Sequence, residues 1–77
     1  MKEEKITFTE IAARLEKAIH ADVGTDGLKI LLYGWRRKRG MHPAVIAERA
    51  KENHGEPYLY DYELRSFSRY AGYDLTA

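Results

Sequence analysis

The segment Gly27–Gly40, GLKILLYGWRRKRG, carries a helical pattern from which the fold of this 77-residue chain can be predicted. Its large apolar residues recur every three or four positions, which is the spacing of one face of an α-helix. These residues are Leu28, Leu31, Leu32 and Trp35. Four bases follow, where positive charge complements the negative end of the helix dipole, and Gly40 suits a left-handed helix end. The segment therefore predicts a helix, with Asp26 as its N-cap.

A second interpretation treats part of this segment as a strand. Leu28 to Tyr33 is a short apolar run between two glycines, and such a run is also typical of a buried strand. Two other stretches, Lys5–Thr9 and Tyr58–Tyr62, could then pair with it. The helix is favoured because the apolar stripe continues to Trp35 and the signals at both ends agree.

An amphipathic helix is also predicted before this segment. The apolar residues between Phe8 and Ile19 recur at helical spacing, and Thr7 with Glu10 fits a capping box. The stretch Asp22–Gly27 then contains two glycines and two aspartates, which predicts a loop.

Two further helices are predicted after Gly40. His42-Pro43 opens the third, because proline suits the first helical position, and Gly55 ends it. The fourth runs from near Pro57 to Gly72. These two helices and the short turn between them resemble a helix–turn–helix unit.

The sequence therefore predicts one domain over residues 1–77, an all-α bundle of three or four short helices with the last two arranged as a helix–turn–helix. A chain of this length has room for a single thin core. The predicted core residues are Phe8, Ile11, Leu15, Ile19, Leu28, Leu31, Leu32, Trp35, Ile46, Leu64 and Phe67.

Charge is unevenly distributed, although the net charge is only +1. Residues 1–26 contain six acids and four bases, and so do residues 48–77, which gives −2 for each. Residues 27–47 contain five bases and no acid, which gives +5. The middle segment is therefore where an anionic partner would bind.

Composition also excludes several classes of protein. The chain has no cysteine, which excludes disulfides and thiolate zinc sites. Its longest apolar run, Ile30–Tyr33, is far shorter than the roughly 20 residues that span a bilayer, and the charged residues 1–5 do not resemble a secretory signal. We therefore expect a cytoplasmic protein with no membrane partner.

Catalytic signatures are weak in this chain. His20, His42 and His54 are too scattered for a local metal motif. No glycine-rich phosphate loop follows a predicted strand. We therefore expect no enzyme activity, no metal and no cofactor.

Two groups of residues are candidates for partner binding. On the fourth helix, an outward face combines tyrosine and arginine, which are enriched at binding hot spots; it comprises Tyr58, Tyr62, Arg65 and Arg69, with Ser66 beside it. On the second helix, basic residues could hold phosphates; these are Lys29, Arg36, Arg37, Lys38 and Arg39. Pairing of the arginines with nearby acids, and dipole complementation at the helix end, are the purely structural alternatives.

These groups support two hypotheses about function. The first is a small non-enzymatic regulator of transcription that binds duplex DNA, with the fourth helix in a groove of the DNA and a homodimer supplying affinity. The alternative is a protein-binding module, an inhibitor or adaptor, that docks the tyrosine and arginine face on an acidic partner protein.

A third surface combines apolar and basic residues on the second helix. Ile30, Tyr33 and Arg37 point away from the predicted core stripe. In a four-helix domain we expect this side to be buried by neighbouring helices rather than left as an interface.

Overall fold

The computed structural model describes residues 4–76, which form four helices and two short strands. The elements in chain order are β1 (Lys5–Thr7), α1 (Phe8–Ile19), α2 (Gly24–Arg39), α3 (Ala44–Glu52), β2 (Tyr58–Tyr60) and α4 (Asp61–Ala71). The mostly helical prediction is confirmed. The all-α description needs correction, because the described part of the chain also contains a two-stranded sheet.

The sheet joins two segments that lie far apart in sequence. Strands β1 and β2 are antiparallel, with Ile6 opposite Leu59. Both of these side chains are buried, so the sheet contributes its inner face to the core. The two stretches that the strand interpretation named therefore do pair, but with each other, and Leu28 to Tyr33 is helical.

The core lies where α1, α2, α4 and the inner face of the sheet meet. Its buried residues are Ile6, Phe8, Ile11, Ala12, Leu15, Leu28, Leu32, Trp35, Leu59, Leu64, Phe67 and Leu75. Of the predicted core, Ile19, Leu31 and Ile46 are only partly buried and pack against this cluster. Sequence analysis did not foresee Leu75, because it lies after the glycine that ends α4.

Helix α2 begins earlier than predicted. Its first residue is Gly24, and Asp26 lies in the first turn rather than at the N-cap. The Glu16 carboxylate, on α1, accepts hydrogen bonds from the backbone N–H groups of Gly24 at 2.8 Å and Val23 at 2.9 Å. These bonds, with Gly24 the larger contributor, lower the pKa of Glu16. A carboxylate from the preceding helix thus caps α2.

Helix α4 begins at Asp61, four residues after Pro57, because residues 58–60 form β2. The helix–turn–helix prediction is therefore wrong about the connection between α3 and α4, which contains a strand instead of a short turn. Glu63 fixes the start of α4, since its carboxylate accepts the backbone N–H of Tyr60 at 2.9 Å. This bond is half of a capping box.

No helix within residues 4–76 combines the length and the apolar character that are needed to cross a membrane.

Candidate nucleic-acid interface

A groove separates the C-terminal end of α2 from the outer face of α4. Its volume is about 310 Å³. Three of the side chains that line it are cations, and none is an acid. The lining residues are Trp35, Lys38, Arg39, Ser66, Arg69 and Tyr70, and we call this feature the basic groove.

Helical periodicity places these side chains together. Trp35 faces the core, and Lys38 and Arg39 follow it by three and four residues, on the same side of α2. On α4, Ser66, Arg69 and Tyr70 all lie on the same side of buried Phe67 in the helical projection, and they reach the groove from the opposite wall. The basic groove is therefore the rim of the α2–α4 contact.

Trp35 ties the two walls of the groove together. Its indole N–H donates to the Ser66 hydroxyl at 3.0 Å, and its ring meets Phe67 edge-on, with centroids 5.9 Å apart. The buried indole thereby gains a polar partner, as buried tryptophans normally require. Because Ser66 accepts this bond, its own proton is available for another acceptor.

Aromatic rings contact two of the three cations of the groove. The guanidinium of Arg39 lies 5.4 Å from the Trp35 ring centroid, and Nζ of Lys38 lies 5.9 Å from that of Tyr70. Both distances are within the range of cation–π attraction. Such contacts orient the side chains without neutralising them, so their charge remains available to an anion.

The partial negative charges of two helix ends reduce the positive charge of the groove. The C-terminal ends of α2 and α4 are near the groove, and each carries a partial charge of about −0.5. The three cations contribute +3, which leaves about +2 even if both dipoles act in full. The basic groove therefore attracts anions.

The remaining predicted bases of α2 lie outside the basic groove. Arg36 and Arg37 place their guanidiniums 5.1 and 5.6 Å from the ring centroid of Tyr33, and Arg36 also donates to the carbonyl of Met41 at 3.1 Å. Lys29 and Arg36 line a different, smaller cavity of about 130 Å³. Only Lys38 and Arg39 of the predicted basic cluster thus meet residues of α4 at this groove.

The predicted face of α4 holds three of its four members. Tyr62, Arg65 and Arg69 are exposed on α4. The placement of Tyr58 on this face is wrong, because Tyr58 belongs to β2 and is only 1% exposed. The helical projection assumes one continuous helix, whereas Tyr58 belongs to a strand and is buried against Tyr60 and Arg49.

A second groove shares Arg69 with the first. It has a volume of about 370 Å³ and lies between α4 and the segment that follows it. Its lining residues are Arg65, Ser68, Arg69, Gly72, Tyr73, Asp74 and Thr76, and we call it the terminal groove. The negative charge of Asp74 offsets part of the positive charge of the two arginines. Hydrogen bonds from the side chain and backbone of Thr76 lower the pKa of Asp74 and favour its charged form.

The sequence analysis missed an ion pair behind the predicted face. Arg49 of α3 donates to both carboxylate oxygens of Glu63, at 2.6 and 3.0 Å. Its guanidinium also lies 4.8 Å from the ring centroid of Tyr60. Burial opposes the charge on Arg49, but the hydrogen bond and charge of Glu63 prevail and raise the pKa of Arg49.

The neighbourhood of this pair also affects Tyr58. A hydrogen bond with Tyr60, followed by burial, raises the pKa of Tyr58 to about 12. Tyr58 is therefore a neutral, structural side chain. The capping position of Glu63, three residues after Tyr60, was the one local signal that could have identified the acidic member of the pair.

The outer face of α2 differs from the expectation of burial. Ile30 is 75% exposed and Tyr33 is 55% exposed. No helix among the described residues covers them, because α1 and α4 both pack on the opposite face of α2. An exposed apolar pair beside Arg37 is therefore a second candidate surface.

Within residues 4–76, no group of three or more His, Asp or Glu side chains is placed to hold a metal ion. Comparison of the chain with protein-family models, with curated proteins and with solved structures gives no match.

Proposed function

We propose that this protein is a small nucleic-acid-binding regulator that holds phosphates in the basic groove. One observation carries the proposal: Lys38, Arg39 and Arg69 come from two helices and converge on one groove whose lining contains no carboxylate. Cations that contact phosphates release counterions, so the affinity depends on salt and only weakly on sequence. The Ser66 hydroxyl adds a neutral donor at the floor of the groove.

A salt titration tests the proposal. Fluorescein-labelled oligonucleotides of random sequence, single-stranded and duplex, are titrated with the protein at low and moderate salt. We expect micromolar binding of at least one form at low salt, and a steep loss as salt rises. The triple variant Lys38→Gln/Arg39→Gln/Arg69→Gln should abolish this binding.

A matched control separates the groove from charge in general. The variant Lys5→Gln/Lys17→Gln/Lys51→Gln removes the same charge from exposed positions outside the basic groove. It should keep at least half of the wild-type affinity. Absence of binding to both forms at low salt, or equal losses in the two triple variants, would contradict the proposal.

The exposed pair on α2 favours a second candidate function, a protein-binding module. Ile30 and Tyr33 form an apolar centre, and Lys29, Arg36 and Arg37 surround it with positive charge. Two copies of this surface would repel each other, so it suits an acidic partner with an apolar residue at its centre. The homodimer that the sequence suggested stays a prediction.

An acidic amphipathic peptide tests the second candidate. Backbone amide NMR shifts of the labelled protein should move along Ile30, Tyr33 and Arg37 when the peptide is added, and Ile30→Glu should abolish the effect. Shifts confined to the basic groove, or none at millimolar peptide, would contradict it.

A further inference from the structure

Two exposed tyrosines lie beside cations in these two grooves. Tyr70 lines the basic groove, Arg69 is shared by both grooves, and Tyr73 lines the terminal groove. Tyr73 is 43% exposed and Tyr70 is 42% exposed. Cations beside accessible aromatic rings are the composition of surfaces that bind single strands, where the cations follow the backbone and the bases stack on the rings.

The surroundings of α4 are unsuited to reading a duplex. A helix that enters the major groove, which is about 12 Å wide, must project beyond its neighbours. Here Lys38 and Arg39 of α2 form the opposite wall of a groove along α4. Arg69, the one cation of α4 that lines this groove, thus lies in a concave surface, which admits a narrow strand and holds a wider duplex at its rim.

Charge is also separated along α4. Asp61 lies in its first turn, whereas Arg69 lies in its last turn. A duplex that followed the whole helix would bring phosphates to Asp61, where they would be repelled. A short single strand could stay at the C-terminal half, with Asp74 as the one carboxylate among the lining residues of the two grooves.

We infer that the basic and terminal grooves, which share Arg69, bind single-stranded nucleic acid in preference to a duplex, with phosphates at Lys38, Arg39 and Arg69 and a base stacked on Tyr73. This inference rests on the proposed function and names the form of its ligand. Tyr70 supports the nucleic-acid strand next to Arg69, and Lys38 covers part of the face of the Tyr70 ring.

One labelled strand provides the matched pair of probes. A fluorescein-labelled oligothymidine of about 12 nucleotides, a length within the usual range for such sites, is titrated alone and after annealing to its oligoadenosine complement. We expect the strand alone to bind at least tenfold more tightly at the same salt. The fluorescence of Trp35, the only tryptophan, should change on binding, because its indole forms part of the groove.

Variants separate stacking from charge. Tyr73→Leu should weaken single-strand binding by about 5- to 150-fold, the range for loss of one stacked base, with the salt dependence unchanged. Tyr73→Phe keeps the ring and should keep the affinity. Arg69→Gln should instead lower the slope of log K against log salt by about 0.7. Tyr33→Leu, on the outer face of α2, is the control and should have no effect.

The outcomes distinguish the single-strand inference from the proposed function. Equal or tighter binding of the annealed probe overturns the single-strand inference and leaves the proposed function standing. Failure of both probes to bind at low salt overturns the proposed function, and the inference with it. Equal losses in Tyr73→Leu and Tyr33→Leu, or binding without any change in Trp35 fluorescence, overturn the assignment to these grooves.

Discussion

Replacement of Glu63 by glutamine tests whether the ion pair between α3 and α4 is part of the core. The substitution keeps the shape of the side chain and removes its charge. The Arg49 guanidinium then loses its ionic partner at a site where its own side chain is 14% exposed and that of Glu63 is 3% exposed. Breaking a buried pair by removing one partner typically costs about 3–5 kcal/mol.

Two features of the structure place the expected loss at the lower end of that range. Arg49 remains on the rings of Tyr58 and Tyr60, at 5.5 and 4.8 Å, and the amide oxygen of glutamine can still accept one hydrogen bond. We therefore expect a loss of about 3 kcal/mol. A domain of this size has about 4–12 kcal/mol of stability in total, and the melting temperature should fall by about 12–24 °C.

Urea unfolding, followed by circular dichroism and Trp35 fluorescence, measures the loss. Glu56→Gln removes an exposed carboxylate nearby and should change the free energy of unfolding by less than about 0.5 kcal/mol. The double variant Arg49→Met/Glu63→Gln removes both charges and should be more stable than Glu63→Gln alone. A loss below about 1 kcal/mol in Glu63→Gln would contradict the burial of this ion pair, because a loss of that size is typical of a surface pair.

Three further predictions concern Trp35, Glu16 and Gly34. Trp35→Ala should cost about 3–5 kcal/mol in urea unfolding, because the buried ring leaves a cavity; an unchanged midpoint would contradict its place in the core. The pKa of Glu16 is lowered in the folded protein, so its cap stabilises the fold when the pH is above the ordinary pKa of a glutamate. This stabilisation is lost as the pH falls through the lower pKa of the folded state. Thermal unfolding across acidic pH should therefore show a steeper loss in wild type than in Glu16→Gln, and identical profiles would exclude the cap. In Gly34→Ala the new methyl group would overlap the Tyr70 hydroxyl, so oligonucleotide affinity should fall severalfold. The gain of about 1 kcal/mol in helix propensity should offset the strain from this overlap, so the stability of the fold should change little. A variant that loses both binding and folding would contradict a local effect on Tyr70.

Local patterns predicted the helices well, because the apolar residues of each amphipathic helix lie close together in sequence. Helices α1 and α2 follow from such stripes. The sheet does not, since the partner of Tyr58–Tyr60 lies at the other end of the chain and no local signal names it. The prediction that Asp26 caps α2 was wrong for the same reason. The cap is Glu16, which belongs to the preceding helix and is more distant in sequence than Asp26.

The candidate site was predicted in its residue types more than in its arrangement. Sequence analysis named Lys38, Arg39 and Arg69, but as members of two separate groups. Their convergence depends on how α2 packs against α4, which the Trp35 contact with Phe67 determines. Helical projection also placed Tyr58 on the wrong surface, because it assumed that α4 starts four residues too early.

The pairing of β1 with β2 has a consequence for synthesis of the chain. Ile6 meets Leu59, and Arg14 reaches the carbonyl of Leu75, 61 residues further along. As the nascent chain leaves the ribosome, α1 and α2 can pair early, but one side of α1 has no cover until β2, α4 and Leu75 have emerged. Folding of this domain is therefore completed only after nearly all of it has been translated, which exposes the apolar face of the α1–α2 hairpin to chaperones in the meantime.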